Sequence, residues 1–444
     1  MLSETRQRRS EFAPRPMLFA RVIVLTRAVC IAVALASGAQ AAETSPPKLA
    51  PSAAIRSVAE FLPAGFVRDG SKSYQAELQR AIDEAAAAGL PLVFPAATYK
   101  IDERGLQLRS GSTLWMQAAR FELDADRRAD GQAFLGRDVT GVHLVGGEIV
   151  GHNEAWPAGT NIRGIHLTGK VADIHISETR IRELSSTGIG IFGSEAEPAR
   201  DVWISDVVVD HCCNNYADYL DAKSGPEPGS KRDDQGLVCF YYVRDFVVRG
   251  CRFQNSRSDG THFYRCGQGD FTDNRVYGAK MGGYFLESCS DVVATGCVMR
   301  DNGSRGVTIE RGSTRCTMSS SIVATSGREG LWAPDCTGLV ITSNTFDRNG
   351  RKAGVPTPDG GVEKHTANIC IDEDSHDPTK SPTEDYLVAD NLIFTAPEQL
   401  AAVRVLATVS KQIIVKNNVT LGGNDLILID GQSDGTVVVE GNGP

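Results

Sequence analysis

From Leu92 onward the chain consists of short runs of β-branched and apolar residues alternating with polar ones, each run closed by Gly, Asn, Asp or Ser. A period of two with such punctuation predicts strands buried on one face. One segment has a different period. Tyr74 to Ala88 (YQAELQRAIDEAAAA) puts Leu78, Ile82 and Ala85 on one side, with Gly89 as a stop. This predicts a single helix, followed by the strand Leu92-Val93-Phe94 and the turn Pro95-Ala96-Ala97.

The strand runs repeat. Aligned on a polar turn position with inward apolar residues three and five places before it and another two places after it, they give the series Cys251, Asn274, Cys297, Ser321, Asn344, Asn391 and Asn418. The first five are 23, 23, 24 and 23 residues apart. Nine places after each of the first four stands a glycine, Gly260, Gly283, Gly306 and Gly330, which opens the runs THFY, YFLE, VTIE and LWAP. Weaker copies reach back through Val207 and Thr179 to Gly147. A repeat of this length predicts a coil of three short strands stacked on its neighbours, with column asparagines satisfying one another's amides.

Stacking turns the sequence into columns. In a strand that begins at one of these glycines, the first and third residues point inward and the second and fourth outward. The second position gives His262, Phe285, Thr308 and Trp332; the fourth gives Tyr264, Glu287, Glu310 and Pro334. The next place adds Arg265 and Arg311, and the loop side adds Asp259, Arg305, Arg328 and Glu329. Neighbouring strands lie roughly 4.8 Å apart, so residues one repeat apart form one patch. Aromatic faces for stacking, arginines for carboxylates and paired acids for proton transfer are the mixture a sugar site uses. Glu287 and Glu310 are expected with carboxyl groups roughly 5 Å apart, the spacing of a retaining glycosidase, with one pKa raised by the other charge.

The segment Asp69 to Ile101 (DGSKSYQAELQRAIDEAAAAGLPLVFPAATYKI) resembles the N-terminal helix cap and first strand of the pectate-lyase-like right-handed parallel β-helix proteins, and the repeats resemble their coils. The resemblance runs from Asp69 to the C-terminus. It implies an all-β fold: a right-handed parallel β-helix of three-strand coils of about 23 residues each with an N-terminal capping α-helix. It also implies the processing or binding of long carbohydrate chains along the side of the helix, since the superfamily includes pectate and alginate lyases, polygalacturonases, mannuronan epimerases and tailspike-like hydrolases. Asn255-Ser256-Arg257-Ser258-Asp259-Gly260 is similar to the first catalytic motif of polygalacturonases, but Gly282-Gly283 replace their paired aspartates and their His motif is missing at Gly306. Asp374-Ser375-His376-Asp377 is close to the Asp-Pro-His-Asp motif of mannuronan epimerases, yet it lacks the proline and follows its strand rather than opening it.

Charge and the N-terminus narrow the function classes. The first 41 residues carry a net charge of +4 and the remaining 403 carry −13, which argues against general nucleic-acid binding. Counted from Met17, Arg21 and Arg27 precede the apolar run Ala28 to Ala36 and the small-residue pattern Ala39-Gln40-Ala41. This predicts an export signal cleaved before Ala42, a linker from 42 to 60, the β-helix domain from 61 to 444, a periplasmic or secreted protein, and no stable membrane insertion after removal of the signal. The ten cysteines after the leader are too dilute for a disulfide scaffold. Cys266 and Cys289, each six places past their glycine, should stack on adjacent coils, either bridged or as free thiols.

Two classes of function follow. The first is a carbohydrate-active enzyme, foremost a glycoside hydrolase, with a lyase or uronate epimerase as rival. The second is a non-catalytic envelope or adhesion protein. The expected catalytic residues are Glu287 and Glu310, with Asp259 as substitute acid, while His262 and Tyr264 orient the sugar or serve a lyase or epimerase. Arg265, Arg305, Arg311, Arg328 and an exposed Trp332 would bind substrate. The plain alternative makes the glutamates surface charges neutralised by Arg265 and Arg311, and His262 a hydrogen-bonded surface histidine. The expected partner is a polysaccharide or oligosaccharide. No cofactor is required, with calcium entering only for a lyase, and the acidic stretch Asp372 to Asp377 lacks a spaced ligand set. Insertions at Asp210 to Gln235 and Arg351 to His365 would wall a groove.

Overall fold

The computed structural model describes residues 55–444 apart from 103, 128, 158–159, 214–234, 352–366, 375–376, 378–379, 424–425 and 433–435. The expected signal peptide, most of the linker and the central parts of both insertions lie outside the described residues. Within the span of the expected linker, Arg56–Ser57 pairs with Leu92–Val93.

Among the described residues the strands pair in parallel and form three sheets of 14, 13 and 12 strands. Each coil visits the three in turn. Thr261–Tyr264 lies in the 12-stranded sheet, Gly267–Thr272 in the 14-stranded sheet and Arg275–Tyr277 in the 13-stranded sheet. Tyr284–Glu287 then begins the next coil. A chain that winds this way pairs every strand with its equivalent one turn on, so the 23-residue count becomes the register.

The interior is a stack of apolar side chains. Phe240 lies on Phe263 with centroids 5.0 Å apart, and Phe271 on Tyr284 at 4.4 Å. Polar turn residues close the coil through stacked amides. Asn344 Nδ2 donates to Asn391 Oδ1 at 3.1 Å, Asn391 Nδ2 to Asn418 Oδ1 at 2.8 Å, and Asn418 Nδ2 to Asn442 Oδ1 at 2.8 Å. A second ladder passes through Asn349 and Asn368, whose amide bond is 2.9 Å.

Sharp corners require left-handed backbone, which Asp, Asn and Gly enter most easily. Such residues follow four consecutive strands of the 12-stranded sheet: Arg265, Ser288, Arg311 and Asp335 have φ of 51°, 54°, 52° and 51°. These corners carry the side chains of the site. The helix spans Gln75–Ala88, begins one residue after Tyr74 and stops at Gly89 (φ 65°). Its buried Leu78, Ala81, Ile82 and Ala85 join the core.

Candidate functional site

The outer face of the 12-stranded sheet carries the predicted columns in register. Tyr264 pairs with Glu287 and Glu287 with Glu310, while Phe285 pairs with Thr308 and Thr308 with Trp332. Pointing outward does not mean exposed here. His262 is 2% exposed, Glu310 4% and Trp332 7%.

Glu287 is held from two sides. His262 Nε2 lies 3.1 Å from its Oε2, and Arg311 donates through Nη1 to Oε1 at 2.8 Å. An ionised carboxylate only accepts, so the Nε2 nitrogen is the donor. Burial alone would raise the Glu287 pKa, but the bond to His262 and the charge of Arg311 outweigh it and hold the carboxyl below the usual range. The Nδ1 atom of His262 is buried and has no hydrogen-bond partner. Its ring is clamped flat by Phe285, with centroids 4.6 Å apart and planes 7° from parallel.

Glu310 occupies the next place in the column with the opposite protonation. Its pKa is pushed up to about 8, first by burial and then by the charge of Glu287, against the pull of Arg311. Arg311 Nε lies 3.3 Å from Glu310 Oε1 and donates to Asp374 Oδ2 at 3.2 Å. One guanidinium therefore serves three carboxyl groups. The site contains a proton-carrying acid, an ionised acid, an imidazole and a cation within three consecutive coils, a combination suited to moving protons.

The other expected residues fall into different settings. Tyr264 stands beside the pair, and its pKa is raised, chiefly by burial. Arg265 does not neutralise the glutamates: its guanidinium lies over the rings of Tyr264 and Tyr242, and Nη1 faces Glu195 at 3.4 Å. Asp259 is 2% exposed and accepts from Gly282 N at 2.8 Å. It thereby ties one coil's loop to the next.

Trp332 departs from the expectation of an open aromatic. Arg305 covers its ring with the guanidinium 3.7 Å from the centroid, and Nε1 donates to Asp372 Oδ1. Arg305 also reaches the fully buried Glu329 at 3.1 Å, with Arg328 at 3.7 Å. Phe285, only half-buried, is the flat ring of this column that solvent reaches. His262 likewise differs from the surface histidine of the plain alternative, being enclosed by Glu287 and two aromatic rings.

Cys266 and Cys289 occupy the same corner of adjacent coils as free thiols rather than a disulfide. Their Sγ atoms donate to the carbonyls of Phe240 and Phe263 at 3.3 and 3.2 Å.

Sequence reasoning missed Asp335. It stands five places past Gly330, the same step that leads to Arg265 and Arg311. Asp335 Oδ2 accepts from Asp374 N at 2.7 Å, and burial leads its neighbouring acids in pushing its pKa up to about 6. Ser375 and His376 of the epimerase-like segment lie outside the described residues. Beside the corner is a cavity of about 350 Å³ lined by Tyr242, Arg244, Arg265, Ser288 and Arg311 among others. Its lining also includes Glu195, which faces Arg265.

Comparison with known proteins agrees with this architecture. Residues 236–373, which include the whole glutamate pair, match the family described as right handed beta helix region. The A-module of the mannuronan C-5 epimerase AlgE4 of Azotobacter vinelandii superposes with a TM-score of 0.62 at 16% identity, covering 88% of this chain and 98% of that one. The surface adhesin PfbA of Streptococcus pneumoniae gives 0.56 at 14%, covering 88% and 91%. The tailspike protein of E. coli bacteriophage HK620, solved with a pentasaccharide, gives 0.54 at 14%, covering 87% and 65%. No curated protein sequence matches the chain. Among the described residues no helix is long and apolar enough to cross a membrane. The chain is a right-handed parallel β-helix repeat protein, the architecture to which its resemblance to the pectate-lyase-like proteins pointed.

Proposed function

We propose that the chain is an exported glycoside hydrolase acting on a polysaccharide laid along the outer face of the 12-stranded sheet. The observation that carries this reading is the opposed protonation of two carboxyl groups in one column: Glu310 is pushed up to about 8 while Glu287 is held low. A retaining glycosidase needs this division, one acid to protonate the leaving oxygen and one carboxylate to attack the anomeric carbon. Glu310 donates its proton to the departing sugar. Glu287 forms the glycosyl ester, and water, activated by the deprotonated Glu310, then releases the sugar and returns the proton. His262 and Arg311 fix the angle of Glu287, Phe285 offers a ring face, and the arginines of the neighbouring cavity hold acidic groups of the chain.

Relatives in fold support a carbohydrate substrate, since they include an epimerase of mannuronan and a tailspike solved with a pentasaccharide. The leader from Met17 to Ala41 supports action outside the cytoplasm.

A second reading rests on the bond between His262 and Glu287 beside Tyr264 and the arginines. An imidazole and a phenol near cations could serve proton abstraction from a uronate, the chemistry of a lyase or epimerase. Incubation with a panel of neutral and acidic polysaccharides separates the readings. Reducing ends formed with uptake of water support hydrolysis. An unsaturated uronate absorbance means a lyase, and unchanged chain length with altered sugars means an epimerase. Binding without any change in the chain leaves a display protein and overturns the enzyme.

A further inference from the structure

Away from this face, the 14-stranded sheet brings two histidines and an aspartate together. We propose that His143, Asp173 and His175 form a binding site for a late first-row divalent metal ion, with Cu²⁺ and Zn²⁺ as its ligands. The site is independent of the reaction proposed above.

The register creates the cluster. Strands Thr140–Val145 and Ala172–Ser177 are parallel neighbours in which His143 pairs with His175. Their rings lie 4.5 Å apart. Asp173 stands two residues before His175, and its Oδ1 is 3.1 Å from His175 Nε2 and 4.0 Å from His143 Nε2. One ligand atom from each residue lies within 4.8 Å of the other two. Around a tetrahedral ion with bonds of about 2.0–2.1 Å, ligand atoms sit roughly 3.3 Å from one another. The His175–Asp173 pair already has that spacing, and the two edges to His143 would have to close by rotation of its ring when the ion binds.

Donor chemistry selects the metal. Two imidazoles and one carboxylate suit Zn²⁺ and Cu²⁺ rather than Ca²⁺ or Mg²⁺, which demand oxygen. The side chains of His143 and His175 are 42% exposed and that of Asp173 54%, so the fourth position is open to water. Trp203, on the next strand, stacks on His175 with planes 4° apart and centroids 6.2 Å apart. It steadies that ring and puts an indole beside the ion as a reporter.

The untagged full chain, dialysed against a chelator, would be titrated separately with ZnSO₄ and CuCl₂ by calorimetry. Tryptophan emission would be followed in the copper titration. One saturable ion is expected, copper bound more tightly than zinc, with emission quenched. His175→Ala and His143→Ala should each weaken affinity by at least about tenfold, as loss of even an outer-sphere partner does. Asp173→Asn, which keeps the shape and both rings, should also weaken it. Trp203→Phe should remove most of the quenching while zinc binding persists. Absence of saturable binding by the wild-type chain would overturn the site, as would equal affinity in a folded His143→Ala/His175→Ala double variant.

Discussion

Glu287 and Glu310 sit at the same position of consecutive strands and share Arg311, at 2.8 and 3.3 Å, yet they hold their protons in opposite ways. The difference comes from their surroundings. His262 gives Glu287 a donor, whereas Glu310 is buried more deeply and pairs with the shared cation.

This asymmetry makes stability depend on pH. Glu310 ionises near the usual 4.5 when unfolded but at about 8 when folded, so the folded state binds the extra proton between those values. Its contribution is present in full below the lower value and is lost as pH rises through the upper one. The melting temperature should decline across that window, and Glu310→Gln should flatten the decline. Calorimetry from pH 5 to 9 checks this.

Removing the shared cation should leave its carboxyl groups without it. Arg311→Met is expected to cost about 1–3 kcal/mol at pH 7, the penalty for leaving partly buried charged groups without their partner. The loss should shrink at pH 4, where Glu287, no longer held low by Arg311, takes up a proton in the variant. Urea unfolding at the two pH values measures it.

How far the sequence carries differs between columns. The glycines at 260, 283, 306 and 330 mark where strands begin, and a period of two then assigns each side chain to a face, so the alignment of Glu287 with Glu310 follows from counting. Cover does not follow from counting. Trp332 is outward in register but lies beneath Arg305 and bonds to Asp372, 40 residues further on and beyond an insertion. Asp335 is within reach of the same count, one place past Pro334 in the column of Arg265 and Arg311. The second amide ladder is hidden because Asn349 and Asn368 are only 19 residues apart, a step that escapes a search for 23.

The first ladder offers a test of the coil itself. Asn391 Oδ1 accepts from the backbone and side chain of Asn344 at 3.0 and 3.1 Å, and its Nδ2 donates to Ile341 O and Asn418 Oδ1 at 3.0 and 2.8 Å. Asn391→Ala strands these buried groups and should cost about 1–3 kcal/mol or more. Chemical denaturation is the measurement, and a neutral result would mean that water replaces the amide.

The ten described cysteines are buried. Burial raises the pKa of Cys212, Cys251, Cys297 and Cys316 to about 12, and a protonated thiol is a poor nucleophile. A thiol reagent at pH 7.5 should leave them unlabelled in the folded protein and label them in guanidinium. Intact mass should be the same before and after reduction.

The central claim is that Glu287 and Glu310 carry the chemistry, and the most direct measurement is turnover of whichever polysaccharide the wild-type chain cleaves, by Glu287→Gln and by Glu310→Gln. Glutamine keeps size and hydrogen bonding but supplies neither the anion nor the exchangeable acid proton. Each variant is expected to lose roughly 10²–10⁴-fold in rate, the usual contribution of a positioned acid or base, with substrate still bound. Wild-type turnover by both variants would make the two glutamates an ion-pair feature of the coil surface and contradict the account.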